Sequence, residues 1–232
     1  MAFALARVAS AATDMAQAMD MNDAAPFGML WLDQLEWRGL SQPNGAAWQA
    51  EGWYGGDYDK AWIRTEGDSY SGRGEAARAE LFWDHAVSSW WNLEAGGRKD
   101  FGTGPARGWA AFGVRGLAPQ GIDVEATVYA GDASRTAARL KIEYELLFTQ
   151  RLVLQPEMEM NVYGRADPAR DQGAGVADLE VGLRLRYELR REFAPYAGLV
   201  WVRHYGAAGS FQSSGGPNQN ELSLAVGLRM WL

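Results

Sequence analysis

Between Met29 and Leu232 the chain repeatedly alternates apolar and polar residues in segments of about ten residues, each closed by glycine, proline, asparagine or aspartate. The clearest is Ala177–Arg190, which reads ADLEVGLRLRYELR. There Leu179, Val181, Leu183, Leu185, Tyr187 and Leu189 share one parity, while Asp178, Glu180, Arg184, Arg186 and Glu188 share the other. A period of two sends successive side chains to opposite faces of a β-sheet. One face is suited to hydrocarbon and the other to charge. A single strand of this kind fits a soluble sheet as well as a membrane barrel, so the recurrence of the pattern decides.

The pattern recurs at Met29–Arg38, Ala46–Gly55, Lys60–Glu66, Ala76–Ala86, Trp90–Phe101, Gly108–Gly116, Gly121–Gly131, Thr136–Leu147, Arg151–Tyr163, Ala177–Arg190, Phe193–Tyr205 and Glu221–Leu232. That makes about twelve strands of the length that crosses a bilayer when tilted. An even number returns both ends of the chain to one side, as in bacterial single-chain outer-membrane barrels. The connections agree, because such barrels alternate short periplasmic turns with longer outer loops. GLSQPNG is followed by GDYD, GDSYSGRGE by Val87–Ser89, and the long Gly164–Val176 by Arg191–Glu192. The last loop, GAAGSFQSSGGPNQN, is long and falls on the outer side.

Facing follows from parity. In Thr136–Leu147 the set Ala138, Leu140, Ile142, Tyr144 and Leu146 faces lipid, and Arg139, Lys141, Glu143 and Glu145 face the lumen. In Arg151–Tyr163, Leu152, Leu154, Met158, Met160 and Val162 face out, opposite Gln155, Glu157, Glu159 and Asn161. Met29 and Met230 fall on the apolar parity of the first and last strands and are expected to face lipid as well. A soluble eight-stranded barrel would hide its apolar parity inside, yet arginine and glutamate recur on nearly every strand here. The lumenal charges are expected to neutralise one another and hold the shape of the barrel. Some could also line an ion path.

Composition closes other routes. A mean hydropathy of −0.29, 22% charged residues and the absence of any apolar run of about 20 residues exclude a helical membrane protein. A net charge of −7 argues against a nucleic-acid partner. Eleven tryptophans, nine tyrosines and eight phenylalanines suit strands, with aromatic girdles where strands cross a membrane. The expected fold is therefore an all-β, antiparallel up-and-down transmembrane β-barrel in the outer membrane of a Gram-negative bacterium, in contact with its lipid. Residues 29–232 form the barrel, and residues 1–28 form a flexible, methionine-containing leader. Its first dozen residues read either as the end of a secretory signal, with Ala-Ser-Ala near a cleavage point, or as a plain disordered leader.

With no cysteine present, the thioethers of eight methionines are the soft metal donors. The leader run Met15-Ala-Gln-Ala-Met19-Asp-Met21 is the best candidate, since an unfolded segment can wrap several thioethers around one Cu(I). Asp14, Asp20 and Asp23 would add affinity for Cu(II) without selectivity. The plainer reading makes these methionines filler. His85 and His204 are the two histidines, so imidazole ligation must use them. Up-and-down topology places His85 near a short turn and His204 near a long loop, at opposite ends of the barrel.

Four blocks resemble the copper resistance protein B family of outer-membrane proteins, the CopB/PcoB type. They are Glu51–Gly67 (EGWYGGDYDKAWIRTEG), Gly104–Pro119 (GPARGWAAFGVRGLAP), Glu143–Gly164 (EYELLFTQRLVLQPEMEMNVYG) and Asp178–Trp201 (DLEVGLRLRYELRREFAPYAGLVW). The resemblance implies a non-enzymatic barrel that binds or passes copper ions at the envelope, beside a periplasmic multicopper oxidase, with sequestration, export and uptake all open. The family commonly carries a longer leader rich in methionine and histidine; here that region holds Met15, Met19 and Met21, so either its capacity for copper is smaller or part of the segment lies outside this sequence. Two other functions stand against this reading. A narrow general pore conflicts with a lumen crowded by charge, and an outer-membrane lipid hydrolase would need a serine such as Ser88 or Ser89 beside His85 together with an orienting acid.

Overall fold

A computed structural model describes residues 26–39, 44–70, 76–102, 104–170, 172–205 and 220–232. Its strands are β1 (Phe27–Gly39), β2 (Gly45–Gly55), β3 (Asp59–Tyr70), β4 (Ala76–Ala86), β5 (Trp91–Gly102), β6 (Arg107–Ala118), β7 (Ile122–Gly131), β8 (Thr136–Glu143), β9 (Leu146–Leu147), β10 (Leu152–Tyr163), β11 (Gly175–Tyr187), β12 (Phe193–His204) and β13 (Asn220–Trp231). The two-residue β9 continues β8 past a break at Tyr144 and Glu145, and both pair with β10. They count as one span, so the sheet has twelve. Each strand pairs antiparallel with the next, and β13 returns to β1, with Trp31 opposite Trp231 and Trp37 opposite Val226. Closure leaves no open edge, which a sheet in hydrocarbon requires.

On one side of the barrel the spans are joined by residues 56–58, 87–90, 119–121, 148–151 and 188–192. These are the short periplasmic turns of the expected topology. On the other side the joins run from four residues at 103–106 to eleven at 164–174 and fifteen at 205–219. The asymmetry rests mainly on the last two loops, because several strands run further than alternation suggested. β3 continues to Tyr70, which leaves only residues 71–75 between it and β4.

Burial is inverted relative to a soluble protein. Leu35, Trp37, Ile63, Leu81, Phe112, Val128, Leu183, Leu199, Leu222 and Val226 are exposed on the outer face, whereas Glu36, Arg64, Glu80, Asp84, Glu94, Arg139 and Arg184 are buried inside. An apolar band around the circumference is what a bilayer covers. Tyr54, Tyr58, Trp83, Trp90, Phe148 and Tyr187 are exposed at or beside the short turns and form an aromatic girdle at that end. A second aromatic group lies inside, where Trp62, Phe82, Trp109, Tyr129 and Tyr163 pack together in the lumen with small alanines.

One irregularity changes which residues enter the lumen. The registers of β1 with β2 and with β13 both slip just after Leu32, so Asp33 lies in a β-bulge. An extra residue reverses the parity of everything before it. After the bulge Gln34, Glu36 and Arg38 are buried inside; before it, Met29, Trp31 and Asp33 line an inner cavity while Leu30 is exposed. Met29 therefore opens to the lumen and does not face lipid as simple parity implies. Met158 and Met160 keep the outward parity of Leu152 and Leu154, opposite the buried Gln155 and Glu157.

Candidate functional site

The lumen is filled by ion pairs that reach across it. Arg64 on β3, 1% exposed, lies 3.0 Å from Glu80, 3.2 Å from Glu125 and 3.5 Å from both Glu51 and Glu94. Arg115 on β6 meets Glu51 on β2 at 2.7 Å, pairs with Glu125, and lies 4.1 Å over the ring of Trp62. Nearer the long loops, Arg78 on β4 reaches Glu159 on β10 at 2.8 Å, Arg139 on β8 reaches Glu66 on β3 at 2.8 Å, and Arg38 on β1 reaches Glu180 on β11 at 2.7 Å. β4 and β10 stand on nearly opposite walls. The pairs thus hold the barrel like spokes, because a buried charge is tolerated only when paired and hydrogen-bonded.

Neutral donors complete this network. The Trp62 indole N–H donates to Glu51 at 3.1 Å, Trp109 to Asp100 at 2.8 Å, the Tyr129 hydroxyl to Glu80 at 2.7 Å and the Tyr196 hydroxyl to Glu36 at 2.9 Å. Tyr196 reaches Glu36 by lying over Gly227, where a Cβ would sit 2.6 Å from its ring and hydroxyl. The glycine is required by that close approach. The lumenal charges pair with one another as expected, whereas the inward tryptophans and tyrosines were not anticipated, because aromatics were assigned to strands and girdles without an inner cluster.

At the periplasmic end the network opens into a cavity of ≈ 320 Å³ lined by Met29, Trp31, Asp33, Glu51, Arg115, Asp123, Glu125, Lys141, Glu143, Arg229 and Trp231. Five carboxylates meet three cations there, so the lining carries a net negative formal charge. Each cation is turned to a carboxylate: Arg229 lies 3.2 Å from Asp33, Arg115 lies 2.7 Å from Glu51, and Lys141 lies 3.8 Å from Glu143. The strand β1 enters this mouth directly from residue 26.

The two histidines stand at opposite ends. His85, near the end of β4, is on the outer face beside Trp83, with ring centroids 5.3 Å apart, and its Nδ1 lies 2.8 Å from Asp59 Oδ1. The Trp83 indole donates to the same oxygen at 2.9 Å. Asp59 is the acid partner that sequence reasoning could not name; it lies directly opposite His85 in the β3–β4 ladder, so its only sequence signal was a hairpin register not yet known. Ser88 Oγ accepts from the backbone N–H of Trp90 and of Trp91, at 3.3 and 3.0 Å, and so caps the turn. His204 closes β12, opposite Asp178 of β11, beside the long loop. Met15, Met19 and Met21 lie outside the described residues. Among the described residues, no group of three or more histidine, aspartate or glutamate side chains is arranged to hold a metal.

Comparison with known proteins gives a consistent result. The family described as "Copper resistance protein B precursor (CopB)" matches residues 26–232. The chain is 44% identical over 211 residues to the "Copper resistance protein B homolog" of Pseudomonas syringae pv. tomato, covering 91% of this chain and 72% of that one. It is 43% identical to the "Copper resistance protein B" of Escherichia coli, covering 91% and 71%. Among solved structures it is similar in fold to the NanC porin, with a TM-score of 0.59 at 12% identity over 87% of this chain and 98% of that one. The KdgM porin gives 0.52 at 11% identity over 88% and 98%. At such identities the likeness concerns the fold alone.

Proposed function

Since the chain belongs to the copper resistance protein B family, we propose that it acts in copper resistance as a non-enzymatic copper-binding barrel that takes up the ion at its periplasmic mouth. Its place is the outer membrane of a Gram-negative cell, where the twelve spans cross the bilayer. Cu(I) is held first by the leader thioethers of Met15, Met19 and Met21, which join the barrel at that mouth through β1. Cu(II) is taken more weakly by the neighbouring aspartates. A periplasmic multicopper oxidase is the proposed exchange partner, on the strength of the family resemblance.

The observation that carries this reading is the pairing of Arg78 with Glu159 and of Arg139 with Glu66 across the lumen. A lumen spanned by buried ion pairs supports binding and sequestration at the mouth over free passage of solutes. His204 stands at the far end of the barrel and serves as a second, weaker ligand on the outer side. His85 is held by Asp59 on the lipid-facing wall, and its role there is interfacial.

The test is a Cu(I) titration in detergent under reducing conditions, comparing the wild type with a variant in which Met15, Met19 and Met21 are all changed to leucine. Loss of tight binding in the variant is expected. Equal binding in both would move the site into the barrel, and no binding in either would refute the proposal.

A further inference from the structure

Independently of the copper reading, we infer that the outer end of the wall built by β6, β7, β8 and β10 is a docking site for a saturated, doubly phosphorylated glycolipid of the outer leaflet, of the lipid A class. The wall is thin there. Ala110 lies opposite Ala130, Ala130 lies opposite Thr136, and the Gly164 N–H donates to the Thr136 carbonyl at 2.8 Å, so one row across these spans carries only small side chains. The period of two turns Ala110, Ala130 and Thr136 outward, beside the buried Trp109, Tyr129 and Ala137. In the next row toward the periplasm the bulkier Phe112 and Val128 face each other and stand exposed. The step between the two rows is an apolar groove of ≈ 600 Å³. It lies close to the strand ends at the long loops, and therefore in the outer leaflet.

Hydrocarbon alone would not select an occupant, but the charges at the rim do. Lys99 on β5 is exposed on the outer face between the buried Arg98 and Asp100, and its strand partner Gly108 is two residues from Ala110. Arg165 follows Gly164, is exposed, and donates to the Ala133 carbonyl at 3.4 Å. Arg107 and Arg135 each lie 2.9 Å from a carboxylate, of Asp167 and Asp132 respectively, whereas among the described residues Lys99 and Arg165 are paired with none. The groove thus has an unmatched cation near each end, about four strand spacings or roughly 19 Å apart. A single phosphate cannot reach both, but a glycolipid with a phosphate on each of two linked sugars can, and both cations suit phosphate. Its chains fill the step in the wall, where an empty space would forfeit dispersion contacts. A second copy of this chain is the competing occupant. Packing two copies through this groove about a twofold axis would crowd Lys99 and Arg165 against the same cations of the other copy, and that repulsion opposes it.

The experiment uses the full chain, delipidated in detergent, and measures by native mass spectrometry the retention of lipid A with two phosphates, of lipid A with one phosphate, and of phosphatidylglycerol. The wild type is compared with K99Q/R165Q, which removes the charges, and with A130F, which fills the groove; unboiled gel mobility checks that each barrel is intact. The wild type should retain doubly phosphorylated lipid A about tenfold more tightly than K99Q/R165Q does. It should also prefer that lipid to the other two, and A130F should weaken its retention several-fold. Equal retention by the wild type and K99Q/R165Q, or a preference for phosphatidylglycerol, would overturn the inference. A wild-type dimer that A130F dissolves while lipid retention stays unchanged would overturn it in favour of a second copy.

Discussion

Arg107 Nε donates to Asp167 Oδ2 at 2.9 Å and Arg107 Nη2 to Oδ1 at 3.3 Å, joining the start of β6 to the loop between β10 and β11 across sixty residues of sequence. The loop is fastened at further points. Arg135 Nε lies 3.5 Å from the same carboxylate, and Arg170 donates to the carbonyls of Pro105 and Phe101 at 2.7 and 3.4 Å. Gly104 makes room for it: its φ is +80°, and a Cβ there would lie 2.1 Å from the Ala169 carbonyl oxygen. The segment thus lies over the ends of its neighbours at the outer side, with Asp167 as its anchor.

The Arg107 hydrogen bonds hold the Asp167 carboxyl below the usual carboxylate range, with Arg135 adding to the effect. A lowered value in the folded state means that the anchor is fully effective above the ordinary carboxylate pKa and is lost as pH falls through the lower value. The protection of residues 164–170 against hydrogen exchange, taken relative to the intrinsic rate at each pH, should therefore be unchanged between pH 7 and pH 5 and should fall only in stronger acid. D167N should open the loop at neutral pH, with tryptic cleavage after Arg165 or Arg170 at least several-fold faster than in the wild type. Equal cleavage rates would mean that the anchor lies elsewhere.

Inside the barrel, Arg184 grips Glu36 with two bonds of 3.0 Å, and both side chains are almost wholly buried. Removing one partner leaves a charge with incomplete pairing, which costs about 3–5 kcal/mol, whereas replacing both by apolar groups of similar size costs much less. R184M should lower the urea midpoint of the folded barrel strongly, and E36M/R184M should recover part of the loss. A single variant within about 1 kcal/mol of the wild type would contradict the bracing role, since exposed pairs are worth no more than that.

On the outer wall, Leu183 lies near the middle of β11 and is exposed to the surroundings of the barrel. L183R should destabilise the barrel by about 2–4 kcal/mol in lipid, as expected for arginine near the bilayer midplane. The wild type should also migrate faster unboiled than boiled on a denaturing gel. Identical migration would be incompatible with a closed ring.

Copper binding offers a separate check through pH. Thioethers do not titrate, whereas imidazole becomes protonated near pH 6.5 and then cannot coordinate. Cu(I) affinity carried by methionines should stay within about twofold between pH 8 and pH 5.5. A fall of tenfold or more over that range would transfer the site to His204 or His85.

Alternation made most of the wall legible, because Leu179 to Leu189 or Leu222 to Leu228 can satisfy a bilayer in only one register. It failed at Met29. A bulge adds one residue, and its mark in the pattern is slight: Asp33 shares the parity of Met29, Trp31, Leu35 and Trp37, a lone charge in the lipid-facing row whose meaning emerges only from its partners on β2 and β13. It also could not pair the charges. Arg38 and Glu180 are 142 residues apart, and Arg184 and Gln34 are 150 apart, so their meeting depends on the circumference of the ring and not on local spacing. The Asp59–His85 contact was hidden for a similar reason, since the register of a hairpin has to be known before residues 26 apart become neighbours.

These long separations also bear on how the barrel is made. Arg38 leaves the ribosome early and Glu180 late, and the two cannot meet until β11 has been brought round toward β1. A partly assembled sheet keeps its glutamates and arginines solvated, and they resist collapse onto the apolar face in the aqueous space that the chain must traverse. Joining β13 to β1 brings distant partners such as Arg38 and Glu180 together, whereas Arg64 and Glu80 on the adjacent β3 and β4 need only their own hairpin, so the seam completes the part of the interior that local pairing leaves open.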